Sequence, residues 1–462
     1  MTAPPFADSA RRIAALAWPM YVGQVAVLAF STVDTVLVAR ASALDLAALA
    51  IGSSAYISVF IGFMGVVLAL GPIAGQLFGA GRRADAGRAL QQAIWLALML
   101  SLLGGALLLF PDPFLAIAQA HGEVASRARG YLAGVAFALP SALVFTAYRA
   151  FNVAISRPKA VMALQIGALL LKVPLTALFV FGIDLGPLHV AAGGAPGCGV
   201  ATAIVMTGQA LVAVVVLRRD PFYASFGLQG RFARPERAGL AALLALGVPM
   251  GLSMLVEVTG FTFMAFFVAR FGATPVAGHQ IAVNLVSLMY MLPLALANAA
   301  STLVAQRIGA GEPRAARRVG WHGIAIGAGA GAVVGAAVYA SRAAIVRGYT
   351  GDATIVAAAL PLLAWVALFH LADATQAVTS FVLRAHRIVN APLLINTLAL
   401  WGVGLAGGYA LAFDVGGAIA ADLHGARGFW SAATAGLVVS ALLMLALLVR
   451  AHRRERAGFV SG

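Results

Sequence analysis

The chain has 462 residues, of which 62% are hydrophobic and 10% charged, with a mean hydropathy of +0.95 and a formal net charge of +15. So little charge cannot cover the surface of a water-soluble fold of this length, which excludes a soluble enzyme or binding module and assigns the apolar residues to lipid. The single cysteine, Cys198, leaves no internal disulfide and no cysteine-rich metal site.

Apolar stretches recur along the whole chain, each long enough to cross a bilayer core of about 30 Å as a helix. They predict an all-α integral membrane protein with about twelve transmembrane helices, over 13–38, 46–78, 90–110, 127–153, 159–182, 197–218, 240–268, 276–308, 319–340, 354–384, 391–413 and 427–450. Met1–Ala10 lacks an apolar run followed by a small-residue cleavage site, so no cleaved signal peptide is expected. The positive charge is distributed by side of the membrane. Arg11, Arg82, Arg83, Arg157, Lys159, Arg218, Arg219, Arg314, Arg318, Arg387 and the tail Arg450, Arg453, Arg454 and Arg456 fall in the N-terminus, the even loops or the C-terminus. The odd loops hold few, such as Arg40, Arg270 and Arg347. By the positive-inside rule both termini are cytoplasmic and the span number is even. The basic excess is then topology, with anionic lipid contact as a secondary use and no nucleic-acid partner.

The chain repeats itself. At an offset of 230, Trp18-Pro19-Met20 meets Val248-Pro249-Met250, and Gly75-Gln76 with Gly79-Ala80-Gly81 meets Ala305-Gln306 with Gly309-Ala310-Gly311, without a gap. Tyr148-Arg149-Ala150 then meets Leu383-Arg384-Ala385 at an offset of 235. The expected organisation is two pseudo-symmetric six-helix lobes, 1–218 and 240–462, joined by a basic cytoplasmic linker at 219–239. Transporters built from such repeats place their site near mid-membrane.

Three acids lie inside predicted spans: Asp34, Glu257 and Asp373. Each costs about 2.5–3.5 kcal/mol on insertion scales, so a structural role as a protonated or paired side chain has to be set against a functional one. Polar neighbours recur at helical spacing around them. Gln24 and Ser31 share a face with Asp34, Ser253, Gly260 and Phe261 one with Glu257, and His370, Gln376 and Ser380 one with Asp373. Gln280, Asn284, Ser287, Asn298 and Thr302 form a fourth stripe, in span eight. Stripes of this kind predict a partly wet cavity, since lipid would leave the groups unsatisfied. Phe261 and Met264, on the Glu257 face, are candidates for substrate contact. Carboxylates in such a cavity bind a sodium ion through hard oxygen ligands or carry a proton, and residue type alone does not choose between them.

At these residues the chain resembles the multidrug and toxic compound extrusion family, most closely its bacterial NorM-like branch. The resemblance rests on the repeated Pro-Met, on Val33-Asp34-Thr35, on Gly278-His279-Gln280-Ile281-Ala282, on Ala391-Pro392-Leu393-Leu394-Ile395-Asn396 and on Trp401-Gly402-Val403-Gly404-Leu405, and it covers essentially the whole chain. It implies a monomeric antiporter of the bacterial inner membrane, with no cofactor, that exports organic cations in exchange for Na+ or H+. Asp34 then corresponds to an N-lobe coupling carboxylate, Glu257, Asp373 and Tyr290 to a C-lobe cation site, and Gln280, Phe261 and Asn284 to substrate contacts. Two residues depart from the family pattern. Lys172, in Leu171-Lys172-Val173-Pro174, stands where asparagine is common, and near mid-span it is a candidate charge partner for Asp34. Phe369 stands where relatives offer a tyrosine hydroxyl.

Competing readings find less support. His370 and Asp373, three apart, cannot close a metal site alone. Gly79-Ala80-Gly81 and Gly309-Ala310-Gly311 lack the lysine and threonine of a phosphate loop and read as helix ends. A lipid-linked precursor flippase would want a more basic cavity and extra helices. A membrane-embedded transferase would want clustered acids or histidines at loop mouths.

Overall fold

The computed structural model describes residues 5–185, 188–417 and 420–460; Met1–Pro4, part of the N-terminal segment discussed above, lie outside them. Among the described residues twelve helices are long and apolar enough to cross a membrane. In chain order they are α1 (Phe6–Ala41), the pair α2 (Ala43–Val67) and α3 (Leu70–Gly79), α4 (Arg83–Leu109), then, after the short α5 (Asp112–Ile117), α6 (Gly122–Ala154), α7 (Pro158–Phe181) and α8 (Gly194–Arg219). The second set is α9 (Arg237–Ala269), α10 (Ala273–Gly309), α11 (Pro313–Tyr349), α12 (Ala353–Ala385), the span holding α13 (Asn390–Asn396) and α14 (Gly407–Ala412), and α15 (Ala426–Val460). A two-stranded ribbon, Ile183–Leu185 with Leu188–Val190, joins α7 to α8. Nine of the twelve predicted stretches fall within these spans, and 90–110, 159–182 and 391–413 overrun theirs by one residue at the C-terminal end.

The chain divides into two compact units, one of Val22–Gly251 and one of Met1–Tyr21 with Leu252–Gly462. The boundaries differ from the expected cuts at 218 and 240, because each unit takes the first part of a helix whose remainder belongs to the other. In the first unit, a Cβ added to Gly247 would lie 2.4 Å from the Val66 carbonyl oxygen, so the start of α9 lies directly on the end of α2. In the second, Ser9 of α1 hydrogen-bonds His322 of α11 at 2.9 Å. The divisions fall beside Pro19 and Pro249, prolines interior to α1 and α9 whose missing N–H interrupts the backbone ladder.

The centre of the first unit is α6, which packs on α2, α4 and α8. Small residues permit that approach: a Cβ on Gly134 would lie 2.6 Å from the Gly199 carbonyl carbon of α8. One end is tied by Asp45 of α2, which accepts from the Ala195 amide of α8 at 2.9 Å and pairs with Arg127 of α6. In the second unit α12 has the corresponding place, against α10, α11 and α15.

The expected linker is docked rather than free. Tyr223 and Phe226 are buried, and the Tyr223 hydroxyl donates to Asn152 Oδ1 at 2.6 Å. Gln91 and Gln92 of α4 accept from the Ala233 and Glu236 amides at 3.1 and 2.8 Å. Gln92 Nε2 and the Trp95 indole donate to the Arg234 and Ala233 carbonyls, both at 2.9 Å. The segment therefore belongs to the first unit.

Candidate functional site

Each unit holds a polar cluster inside its apolar helices. In the second unit a cavity of about 240 Å³ opens among α9, α10, α12, the eleventh span and α15. Glu257, Tyr290, Asp373, Gln376 and Ser287 give its polar lining, and Phe261, Met264, Val286, Phe369, Leu400, Leu405, Phe429 and Leu437 much of the apolar part. Phe261, Phe369 and Trp430 form an aromatic cluster, with ring centroids 5.6–6.4 Å apart.

Glu257 is fixed by amides. Asn396 Nδ2 donates to its Oε1 at 3.0 Å and Gln376 Nε2 reaches the same oxygen at 3.5 Å. Asn396 Oδ1 in turn accepts from Gln376 Nε2 at 3.0 Å and from the Ser440 hydroxyl at 2.8 Å, so three further helical segments hold the carboxylate through one buried asparagine. Asp373 Oδ2, by contrast, is buried and has no hydrogen-bond partner among the described residues. An unmatched carboxylate oxygen, a second carboxylate and neutral oxygen donors on one cavity make a set suited to a hard monovalent cation or to a proton. Transition-metal chemistry does not fit as well: among the described residues no group of three or more His, Cys, Asp and Glu side chains comes together.

Just beyond Asn396 the helix widens into a π-helical stretch, Thr397–Ala406, which contributes Leu400, Gly404 and Leu405 to the cavity. The Trp401 indole of this stretch donates to the Val256 carbonyl at 3.1 Å, next to Glu257. π turns are rare and often occur at functional sites, and the stretch here holds glycines at 402 and 404.

In the first unit Lys172 of α7, with no solvent exposure, places Nζ 2.8 Å from Asp34 Oδ1 of α1 and donates to Thr202 Oγ1 of α8 at 2.5 Å. Thr176 donates to Asp34 Oδ1 at 3.4 Å, and the Thr202 hydroxyl donates to the Cys198 carbonyl at 2.9 Å.

The structure thus brings Glu257, Asp373, Tyr290, Phe261 and Met264 to one cavity and sets Asp34 beside Lys172. It does not bring Gln280 or Asn284 to that cavity. Both are exposed, and Asn284 Oδ1 accepts from the Tyr349 hydroxyl at 2.7 Å. Gln280 shares the helix face of Ser287 but lies two turns, about 10 Å, from it. Ser31, expected beside Asp34, is exposed and donates to its own helix at Leu28. One member of the site was not identified from sequence: Asn396 stood only in a family motif. Arg384, which matches Arg149 in the repeat, is buried, and its Nη1 has no hydrogen-bond partner among the described residues.

A family model described as MatE matches the chain twice, at 19–178 and 249–410. The chain is 39% identical to a probable multidrug resistance protein NorM of Aromatoleum aromaticum, over 95% of this chain and 94% of that protein. It is 32% identical to the multidrug resistance protein PmpM of Pseudomonas aeruginosa, over 96% and 92%. Among solved structures, the Vibrio cholerae MATE transporter VcmN in its bent form superposes with a TM-score of 0.85 at 18% identity, covering 98% of this chain and 99% of that one. The eukaryotic MATE transporter AtDTX14 gives 0.85 at 20%, with the same coverage.

Proposed function

The chain belongs to the MatE family, and from that premise we propose that it is a cation-coupled antiporter which exports organic, mostly cationic drugs or toxic compounds across a bacterial inner membrane by alternating access. The observation that carries the reading is the cavity of the second unit, where Glu257 and Asp373 share one apolar, aromatic-walled space and Asp373 Oδ2 is left without a partner. Such a space suits either an inorganic cation or the charged end of a hydrophobic organic cation, and competition between them for the same carboxylates is the chemistry that exchange requires. Aromatic faces add cation–π attraction for the organic partner.

In this reading Glu257, Asp373 and Tyr290 handle the coupling ion, Na+ or H+, and Phe261 and Met264 meet the substrate, while Asp34, the coupling candidate of the other unit, is paired with Lys172. Gln280 and Asn284 contact substrate from outside the cavity described. The protein works as a monomer with both termini in the cytoplasm, the orientation favoured by the loop arginines. One monovalent cation moving inward across about 100 mV yields roughly 2.3 kcal/mol, enough for about a fiftyfold gradient of a neutral substrate.

The test is efflux of a fluorescent organic cation from proteoliposomes under separately imposed Na+ and H+ gradients. Transport should follow at least one gradient and collapse when both are removed. Undiminished efflux with neither gradient would overturn the reading.

A further inference from the structure

Lys172 is the one residue of the first unit's polar cluster that brings a full positive charge to the middle of a span. At 1.5 Å per residue its Cα lies about 14 Å along the helix from the nearer end of α7, so its ammonium cannot reach a membrane interface. Its side chain has no solvent exposure, and its recorded partners are protein oxygens: Asp34 Oδ1 at 2.8 Å and Thr202 Oγ1 at 2.5 Å, on two other helices. A carboxylate oxygen with a hydroxyl oxygen is the kind of donor set that a bare monovalent cation would use.

We propose that Lys172 is the resident cation of this unit: tethered to α7, it fills the position a mobile Na+ or H+ would take at Asp34, so that only the cavity of the other unit exchanges a cation with water. The contrast between the units supports this. Among the described residues neither Glu257 nor Asp373 forms an ion pair with a lysine or arginine, whereas Asp34 does. One carboxylate is already neutralised by the chain's own charge, and two others await a charge from outside.

This rests on the antiporter reading only for its account of which unit does the exchanging, and its test uses no transport. The full-length protein in lipid nanodiscs is assayed for bound cations in two ways: 22Na+ equilibrium binding, and the infrared carbonyl stretch of a protonated carboxyl group. K172M should gain one monovalent cation per chain relative to wild type, appearing in either readout, and D34N/K172M should lose it again. K172R, which keeps the charge, should match wild type. E257Q/D373N, with α7 untouched, should bind no cation in the first unit, which decides the matter independently of how well K172M folds. The proposal is overturned if folded K172M gains neither Na+ nor a proton, or if E257Q/D373N still binds a cation that adding D34N removes. A wild type that binds nothing at Glu257 and Asp373 would instead count against the antiporter reading, and the K172M result would still stand by itself.

Discussion

Under the proposed antiport, replacing Asn396 with alanine isolates the group that orients Glu257. Asn396 is fully buried, donates to Glu257 Oε1 at 3.0 Å, and accepts from Gln376 and Ser440 at 3.0 and 2.8 Å. The truncation removes one hydrogen bond to a charged group, worth about 1.5–3 kcal/mol, and strands two buried donors at about 1–3 kcal/mol each. Part of the second cost is recovered, because Gln376 Nε2 already lies 3.5 Å from Glu257 Oε1 and can close on it. The first is a cost to ligand orientation. At 1.4 kcal/mol per tenfold it corresponds to roughly a 10- to 100-fold rise in the concentration of driving cation needed for half-maximal efflux, the range seen when groups supporting a metal ligand are removed. The assay is proteoliposome efflux titrated with Na+ at fixed pH and with pH at fixed Na+, alongside the melting temperature of the purified protein. S440A is the control. It removes a donor to Asn396 but none to Glu257, so it should lower the melting temperature slightly and leave the cation dependence within about twofold, a shift of roughly 0.4 kcal/mol. An N396A protein with the wild-type cation dependence would refute the assignment of Asn396 as the residue that positions Glu257.

Other consequences can be checked directly. E257Q and D373N should insert and fold at wild-type levels yet lose ion-driven efflux, since an amide fills the same space without giving up a proton or neutralising a cation. D34N is expected to differ from them by leaving Lys172 buried without its counter-charge, at about 3–5 kcal/mol, and D34N/K172M should recover most of the lost melting temperature. The docked linker has an acid-sensitive anchor. The Phe222 amide, and then Arg157 at 2.9 Å, hold the Asp220 carboxyl below the usual carboxylate range. Its contribution is therefore present at neutral pH and lost as pH falls below about 4 through the depressed value, so protection against hydrogen exchange across 221–236, corrected for the intrinsic rate, should fall in acid, and D220N should remove that dependence. Protection that does not change with pH would argue against the anchor. G134A places a methyl carbon 2.6 Å from α8 backbone and should cost about 1–3 kcal/mol, read as a lower melting temperature.

The membrane spans were legible because a bilayer imposes a length and polarity on every helix, and that pattern survives in composition. The duplication was legible for a similar reason: Pro19 and Pro249 occupy equivalent places in a gap-free register. Lys172 near Asp34 was legible as an electrostatic requirement, since a cation in mid-span needs a counter-charge and the half-chain offers few. The unit boundaries inside α1 and α9 were not, because an apolar helix carries no record of which neighbour each part of it packs against. The docking of the linker was hidden too. Its arginines read as a basic cytoplasmic linker, while its anchors are backbone groups and two glutamines 142–144 residues away in sequence. Asn396 illustrates the same limit: an asparagine between Ile395 and Thr397 in an apolar run signals a buried polar contact, but its partners lie on three other helices.

The gap-free register also shows how far the two halves have diverged in chemistry while keeping their helices. At an offset of 230 the partner of Asp34 is Met264, and the partner of Glu257 is Val27. The acids are thus not copies of one ancestral carboxylate. Val27 and Asp34 are seven residues apart, which on an α-helix is two turns, the same face and about 10 Å of depth. Each half therefore keeps an acid on the equivalent stripe of its first helix but at a different level. Packing does not require this, because Met264 and Val27 show that either position accepts an apolar side chain. What differs is the company the acid keeps. At the level of Asp34, the side chains of α7 and α8 supply an ammonium and two hydroxyls, and at the level of Glu257, the later spans supply amides, a second carboxylate and an open cavity. A duplicated scaffold gives two equivalent sets of helices, and under the proposed antiport the depth at which each acid sits decides whether the charge it meets is built in or comes from solution.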